Sequence, residues 1–514
     1  MLIAPCVVYA QVDVNVYNEA IYTYLDKLAS AGLIRTYSPN QKPLSRYSVA
    51  KMVVEAREEI EKSGDKSLEG IIFELETEFN NEIEGEYFYG RALDAAEISW
   101  TATDQKESAM PANGMGTTIG MVQPLLSYKD GRHYDGYGNL YIDTSHWFYA
   151  TPYFAAYLQP QAYSVSGDGT GGGARLYRGY VKTGFKNFEL QVGRDDIKWG
   201  PGKYSLFFSN NARAQDMIRL TTPSAFRLPW VFSHLGQWRL ATFFSWLDND
   251  SNPHNVILSG YRIDYQPLYW LDVGFDHAVF MGGTGMSDPN VKTALGEYMG
   301  FIFDSGNSRA SSNHLMGIDM TLRLMPLMGA EIYGKLLLED TQKEYGYMLA
   351  NDASWLGGVY LPHIEGLEKL SIRGEFVYSG QFAGRHSIYT DGFVLDNKFI
   401  GYDAGSDTYS GTVEGSYLFN LDEFASINIR YLQRSSDTYN LLYDASGNNN
   451  GIAVAIDGAE EQHVIFKLSG QKRLSKIINV YTELGLDRVQ NKSFTTGRDE
   501  FDFSTQIKFI FHNL

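Results

Sequence analysis

The segment 193–213, which reads GRDDIKWGPGKYSLFFSNNAR, combines residue types that suit binding chemistry. Trp199 lies at its centre and is followed by Gly-Pro-Gly at 200–202. Proline lacks a backbone donor and its glycine neighbours permit unusual backbone angles, so these three residues predict a tight turn. The indole of Trp199 has a large apolar face with a single polar N–H. This pattern indicates a turn that could present an aromatic platform.

Polar side chains surround this tryptophan at short range along the chain. They are Arg194, Asp195, Asn210, Asn211 and Arg213. A sugar ring has apolar faces and a rim of hydroxyl groups, so this combination fits a sugar. Each hydrogen bond contributes only about 1 kcal/mol, so useful affinity would need several contacts or a repeating polymer. We predict that these five residues and Trp199 bind polysaccharide. The alternative is that the arginines and asparagines brace inward-folded barrel loops through hydrogen bonds to backbone carbonyls, and that Trp199 packs beneath these loops.

The sequence contains none of the common catalytic or metal-binding motifs. The 10 histidines are scattered, and no His-Glu-x-x-His, Gly-x-Ser-x-Gly or Walker pattern occurs. We therefore predict no enzyme activity, no catalytic residue, no cofactor and no metal ion. The formal net charge of −18 and the lack of a basic run argue against nucleic acid as a partner.

Residues 1–10 are apolar and end in Val-Tyr-Ala, which is typical of a signal-peptide cleavage site. We interpret them as the remnant of an export signal. Acylation at Cys6 is the alternative, although no acylation box is evident. Because Cys6 is the only cysteine, a chain cleaved after residue 10 would form no disulfide bond and hold no thiolate metal site.

Residues 11–90 predict a small helical domain. Three apolar patterns with helical spacing run from Ile21, from Val49 and from Leu68, and Gly32 and Gly64 are placed to end the first two helices. The third helix also carries many glutamates, which indicate either a solvated face or an acidic surface at a pore. The first two helices resemble one S-layer-homology repeat, which would imply attachment to a cell-wall polymer.

Residues 91–514 change to a period of two, which is typical of β-strands. Apolar residues alternate with charged ones, as in 318–324 (IDMTLRL) and 480–487 (VYTELGLD). No apolar run is long enough for a membrane helix, so a membrane-spanning form must be a closed barrel with its charges facing the lumen. We predict an all-β transmembrane barrel of about 16–18 antiparallel strands, at roughly 10 residues per strand. A soluble β-sandwich is the alternative.

The final segment 501–512 alternates aromatic or apolar residues with polar ones and resembles the assembly signal of bacterial outer-membrane barrels. This resemblance implies a multi-pass barrel in the bacterial outer membrane. Its partners would be the barrel-assembly machinery, outer-membrane lipid and lipopolysaccharide, and we expect a monomer.

The Trp-Gly-Pro-Gly run at 199–202 and the Ser-Asn-Asn-Ala-Arg run at 209–213 resemble the signature of the Wzi family of outer-membrane capsule-assembly proteins. The resemblance implies a barrel lectin with an N-terminal helical domain that plugs the periplasmic end. Such a protein would bind capsular or exopolysaccharide and help to assemble or retain it on the cell surface. A diffusion porin, tethered to the cell wall by its helices, and an outer-membrane enzyme are the alternatives.

Overall fold

Eighteen antiparallel strands close into one barrel in the computed structural model of the chain. The structure describes residues 10–64, 67–114, 116–150, 153–166, 171–247, 252–285, 291–300, 312–339, 348–443 and 449–512. Most of the predicted signal remnant, including Cys6, therefore lies outside the described residues. The predicted fold class and a strand number near 18 are confirmed.

Each barrel strand pairs with its neighbours in the chain, and the last strand pairs with the first to close the barrel. The strands are Phe88–Thr103, Asn139–Ala150, Phe154–Ser164, Gly172–Phe185, Phe188–Asp195, Gln215–Thr221, Gln237–Trp246, Ile257–Leu268, Leu271–Met281, Asn313–Leu324, Ala330–Glu339, Ser354–Leu361, Leu370–Ser379, Thr408–Asn420, Glu423–Arg434, Glu461–Arg473, Ile478–Gln490 and Glu500–His512.

The alternation of the strands separates an apolar exterior from a polar interior. In the strand Ile478–Gln490, Leu484 and Leu486 are exposed on the outside, whereas Glu483 and Asp487 are buried. A charge on the lipid-facing side at mid-membrane would cost about 2–4 kcal/mol, so this arrangement suits a bilayer. In the described part of the chain, no helix is long and apolar enough to cross a membrane.

Four helices precede the barrel: α1 (Glu19–Ser30), α2 (Arg46–Ser63), α3 (Glu69–Glu78) and α4 (Asn80–Ile83). Ser45 caps α2 by accepting the backbone N–H of Ser48 at 3.3 Å, and Gly64 ends this helix in the left-handed conformation. A further helix, α5, spans Val291–Met299 between two barrel strands.

The third predicted helix is divided at Phe79 into α3 and α4. The side chain of Phe79 is fully buried, and the guanidinium carbon of Arg46 lies 4.5 Å from the centre of its ring. Arg46 also pairs with Glu78 at 2.8 Å and with Glu82 at 2.6 Å. Arg46 of α2 therefore neutralises part of the acidic run. The run itself contains no basic residue that could do so.

The helical domain lies against one end of the barrel, where short connections such as 186–187 and 421–422 join the strands; we call this the short-turn end. Lys27 of α1 donates to the carbonyl oxygen of Glu368 at 2.7 Å, and Ser48 of α2 donates to that of Pro223 at 2.7 Å. The opposite end, which we call the loop end, carries the long connections 104–138, 196–214 and 380–407.

Candidate functional site

The central part of the segment 193–213 lies inside the barrel. The chain leaves the wall after Asp195, at the end of one strand, and returns at Gln215, the start of the next. Between these positions, residues 197–212 pack against inward-facing wall residues. The residues of this segment in the lumenal core are Ile197, Trp199, Tyr204, Leu206, Phe207, Phe208 and Ala212. The segment therefore packs inside the lumen and does not form a surface loop.

Trp199 packs within an aromatic cluster and is only 1% exposed. Its ring stacks on Phe207 with centroids 6.3 Å apart, and it meets Phe208 and Phe243 edge-on at 5.1 and 5.5 Å. No face of the indole is open to a sugar in this structure. Instead of the aromatic platform predicted from the sequence, Trp199 contributes to the packing of the lumenal core.

The predicted turn at 200–202 is present and contacts the helical domain. Gly200 and Gly202 have φ angles of +100° and +83°, which favour glycine. The N–H of Gly200 donates to the carbonyl oxygen of Asn40 at 2.8 Å. Beside this bond, the strand Lys198–Trp199 pairs with the strand Gln41–Lys42. The turn thus joins the lumenal segment to the connection between α1 and α2.

Asn210 and Asn211 hold neighbouring loops together. The Asn211 side chain donates to the carbonyl oxygen of Phe399 at 2.9 Å and accepts the N–H of Tyr128 at 3.3 Å. The Asn210 side chain donates to the Asp130 carboxylate at 3.2 Å. These contacts are those of the bracing alternative, and they connect 196–214 to 104–138 and 380–407.

Arg194 and Asp195 lie at the wall and point away from each other. Arg194 forms a two-point ion pair with Asp216, at 2.8 and 2.5 Å. Asp195 is buried and accepts a hydrogen bond from Gln191 at 2.8 Å. The six residues predicted to bind polysaccharide therefore do not converge on one pocket, and their contact with sugar stays a prediction.

Arg213 belongs to a charged cluster at the loop end, which we call the loop-end cluster: Arg175, His133, Asp396 and Arg213. The Asp396 carboxylate lies 3.6 Å from His133, 3.7 Å from Arg175 and 4.0 Å from Arg213. The Asp396 side chain is 35% exposed and that of Arg175 is 22% exposed. A solute at this end can therefore reach the cluster.

His133 is held in its charged form within this cluster. Burial alone would lower its pKa, but hydrogen bonds to Asp396 and Glu107 outweigh burial and raise the pKa of His133 to about 9. For Asp396, burial acts to raise the pKa, yet the hydrogen bond to His133 and the nearby charges lower it to about 2. At neutral pH the loop-end cluster therefore carries three positive charges and one negative charge.

The sequence provided no local signal for His133, Arg175 or Asp396. These residues lie in the connection 104–138, in the strand Gly172–Phe185 and in the connection 380–407. Only the closure of the barrel and the inward folding of the loops bring them to Arg213. No short sequence motif could therefore have revealed this cluster.

The fold and the site together define a class of protein: a membrane-spanning barrel with its own loops packed in the lumen and a helical domain against its short-turn end. The sequence model for the family "Capsule assembly protein Wzi" matches residues 114–502, about three quarters of the chain. The chain belongs to this Wzi capsule-assembly family, as the motif at 199–213 predicted. In such outer-membrane barrels, short turns face the periplasm and longer loops face the outside.

Among solved structures, the chain is similar to Wzi from Escherichia coli, with 18% sequence identity and a TM-score of 0.67. The match covers 97% of this chain and 99% of that one. That protein is described as an outer-membrane, carbohydrate-binding β-barrel involved in group 1 capsule assembly. At this identity the likeness confirms the fold.

A weaker similarity is to OprD from Pseudomonas aeruginosa, with 12% identity and a TM-score of 0.41 over 82% of this chain and 95% of that one. This TM-score supports no argument about function. A search of curated proteins finds no match to the chain.

Proposed function

We propose that this protein binds capsular or exopolysaccharide at the loop end of an outer-membrane barrel and helps to assemble or retain it on the cell surface. The family match over residues 114–502 is the observation that carries this proposal. The carbohydrate binding described for E. coli Wzi, which has the same fold, supports it. The packing of residues 197–212 inside the lumen also favours binding over diffusion.

The loop-end cluster is the part of the described structure that we assign to this role. The Arg175 guanidinium lies 5.2 Å from the centre of the Tyr163 ring, which is partly exposed. An aromatic ring beside guanidinium groups can contact both an apolar sugar face and an acidic substituent. The excess of positive charge favours an acidic polymer. We propose that this role is binding alone, without catalysis, cofactor or metal.

The helical domain is the proposed periplasmic plug. Its contacts with the short-turn end, such as that of Lys27 with the carbonyl of Glu368, support this role. We further propose that the barrel functions as a monomer among outer-membrane lipid and lipopolysaccharide. The assembly machinery would recognise its closing strand, Glu500–His512.

Binding of purified surface polysaccharide from the source strain, measured by biolayer interferometry on the full-length protein in detergent, tests the function. We expect Arg213→Ala and Arg175→Gln each to weaken binding by about tenfold, because each removes charge-assisted hydrogen bonds. Arg227→Gln is the matched control, since Arg227 is exposed in the connection 222–236 at the short-turn end.

Two variants of Trp199 test, in the same binding assay, whether its side chain contacts the sugar or only packs in the lumenal core. We expect Trp199→Phe to bind as the wild type does, because phenylalanine keeps most of the aromatic packing. Trp199→Ala should lose binding only to the extent that it unfolds, and a Trp→Ala change in a core costs about 3–5 kcal/mol. A folded wild-type barrel that binds no polysaccharide would remove the proposal, and unchanged binding by both arginine variants would place the site on other loops.

A further inference from the structure

Two lysines face each other across the small sheet that joins the helical domain to the lumenal segment. Lys42 and Lys198 are direct partners in the antiparallel register of this sheet. Like charges directly opposite one another on paired strands destabilise the pair. The two side chains are only partly exposed, so water screens their repulsion incompletely. A negative charge close to both amino groups would stabilise this arrangement.

The described part of the structure supplies no direct ion pair for either lysine. The amino group of Lys42 lies 4.2 Å from the centre of the Tyr22 ring. The amino group of Lys198 has one contact at the limit of hydrogen bonding, 3.5 Å from the carbonyl oxygen of Lys203. Among described residues, no carboxylate oxygen lies within 4.0 Å of either amino group.

Four acidic residues act electrostatically on these lysines, and each contacts another group. Glu19 acts on both lysines and lies 3.3 Å from the amino group of Lys203. Asp26 accepts a hydrogen bond from the hydroxyl of Tyr37 at 2.8 Å. Glu331 accepts one from the guanidinium of Arg323 at 2.9 Å. Glu375 accepts two backbone N–H groups, at 2.7 and 3.2 Å, and a tyrosine hydroxyl at 2.6 Å. Asp26, Glu331 and Glu375 could turn to the lysines only by giving up a partly or fully buried hydrogen bond. Glu19, whose side chain is 67% exposed, could do so only by giving up its ion pair with Lys203.

The guanidinium of Arg373 adds a third positive charge, which acts on both lysines. Its guanidinium carbon lies 3.9 Å from the centre of the Tyr360 ring and its nearest ion contact, with Glu375, is 3.5 Å long. Burial, followed by the charges of Lys42 and Arg373, lowers the pKa of Lys198 to about 7. Three cations thus share one region and repel one another.

These three side chains line a cavity of about 670 Å³ between the helical domain and the barrel. The same cavity is lined by Asp422 and Phe424 at a short connection between strands. The cavity therefore extends towards the short-turn end.

We propose that Lys42, Lys198 and Arg373 form a binding site for an oxyanion, either a carboxylate or a phosphate group, inside the lumen at the junction of helical domain and barrel. Ammonium and guanidinium groups together form strong charge-assisted hydrogen bonds to such groups. The site goes beyond the polysaccharide-binding role proposed above, because it lies in the lumen next to the helices and away from the loop-end cluster. Its ligand is either free phosphate or the carboxylate of an acidic sugar.

Isothermal titration calorimetry of the full-length protein in detergent tests this site. The titrations use inorganic phosphate, glucuronate and, as the uncharged probe, glucose, in a low-salt buffer at pH 6.5 without other oxyanions. We expect at least one of the two anions to bind and glucose not to bind. Lys42→Gln and Lys198→Gln should each weaken anion binding at least about tenfold. Binding of phosphate alone identifies free phosphate as the ligand, and binding of glucuronate identifies an acidic sugar.

Lys476→Gln is the matched control, because Lys476 is exposed in the connection 474–477 at the short-turn end. The lysine variants should remain folded, since each change removes repulsion. Their melting temperatures without anion should equal or exceed that of the wild type. Absence of binding by both anions to the folded wild type overturns the proposal, as does unchanged binding in both lysine variants. Neither result affects the polysaccharide assay, which reports on the loop end.

Discussion

At the scale of single residues, the Gly-Pro-Gly turn of the family motif has a structural explanation. Gly202 has a φ angle of +83°, and a Cβ atom at this position would lie 2.7 Å from a carboxylate oxygen of Glu375. That carboxylate cannot easily move, because it accepts the N–H groups of Lys203 and Tyr204. The motif therefore identifies a place where only glycine fits both the backbone angle and the available space.

We predict that Gly202→Ala destabilises the barrel. The left-handed backbone costs a residue with a Cβ atom about 1–2 kcal/mol, and the contact with Glu375 adds to this. The measurement is the urea concentration at the midpoint of unfolding in detergent. Unfolding is detected by the heat-dependent shift of the barrel in gel mobility. Gly411→Ala is the control, since a Cβ atom at Gly411 meets nothing within 4 Å and its φ angle is not in the left-handed region. Equal midpoints for the two variants would contradict this explanation.

At the scale of elements, three long connections meet inside the loop end and hold one another. The backbone N–H groups of Asp130 and Gly131 donate to the carbonyl oxygens of Asn210 and Asn211 at 2.9 and 3.1 Å. The connection 380–407 joins them through the loop-end cluster and through the Asn211 side chain. Loss of one connection should therefore loosen the others.

We predict that the connection 104–138 loosens as the pH rises from about 6.5 to about 9. The pKa of His133 is raised in the folded protein, so its ion pairs contribute full stability below the ordinary histidine pKa and lose it as the pH passes about 9. Hydrogen exchange, corrected for the intrinsic effect of pH, measures the protection of this connection. His133→Gln should abolish the pH dependence, and a dependence that persists in this variant would refute the assignment to His133.

The limits of prediction from sequence also become clear at this scale. Alternating apolar and polar residues predicted the barrel because one face of each strand meets lipid, which is a local property. The break at Phe79 escaped prediction, and the burial of Trp199 was foreseen only in the bracing alternative, because both depend on residues distant in the chain that pack around them. The loop-end cluster likewise requires three separate connections to be brought together.

At the scale of the whole molecule, two kinds of contact hold the helical domain in the barrel. The segment before α1 enters the lumen, where Asp13 forms ion pairs with Lys182 and Arg219 on the wall. The connection after α1 adds the hydrogen bond from Gly200 to Asn40. Removal of one partner from a buried ion pair costs about 3–5 kcal/mol, so the domain is a fixed part of the barrel.

Our central claim is that the helices and the lumenal segment block diffusion through the barrel, and that the protein binds polysaccharide at its loop end. Planar-bilayer conductance tests this claim most directly. We predict that the intact protein shows no large steady channel, because the proposed plug covers one end and residues 197–212 pack inside the lumen. A variant without residues 11–86 should conduct more than the intact protein, since it lacks the plug. A large steady channel in the intact protein that is unchanged by this deletion would contradict the account and favour a diffusion porin.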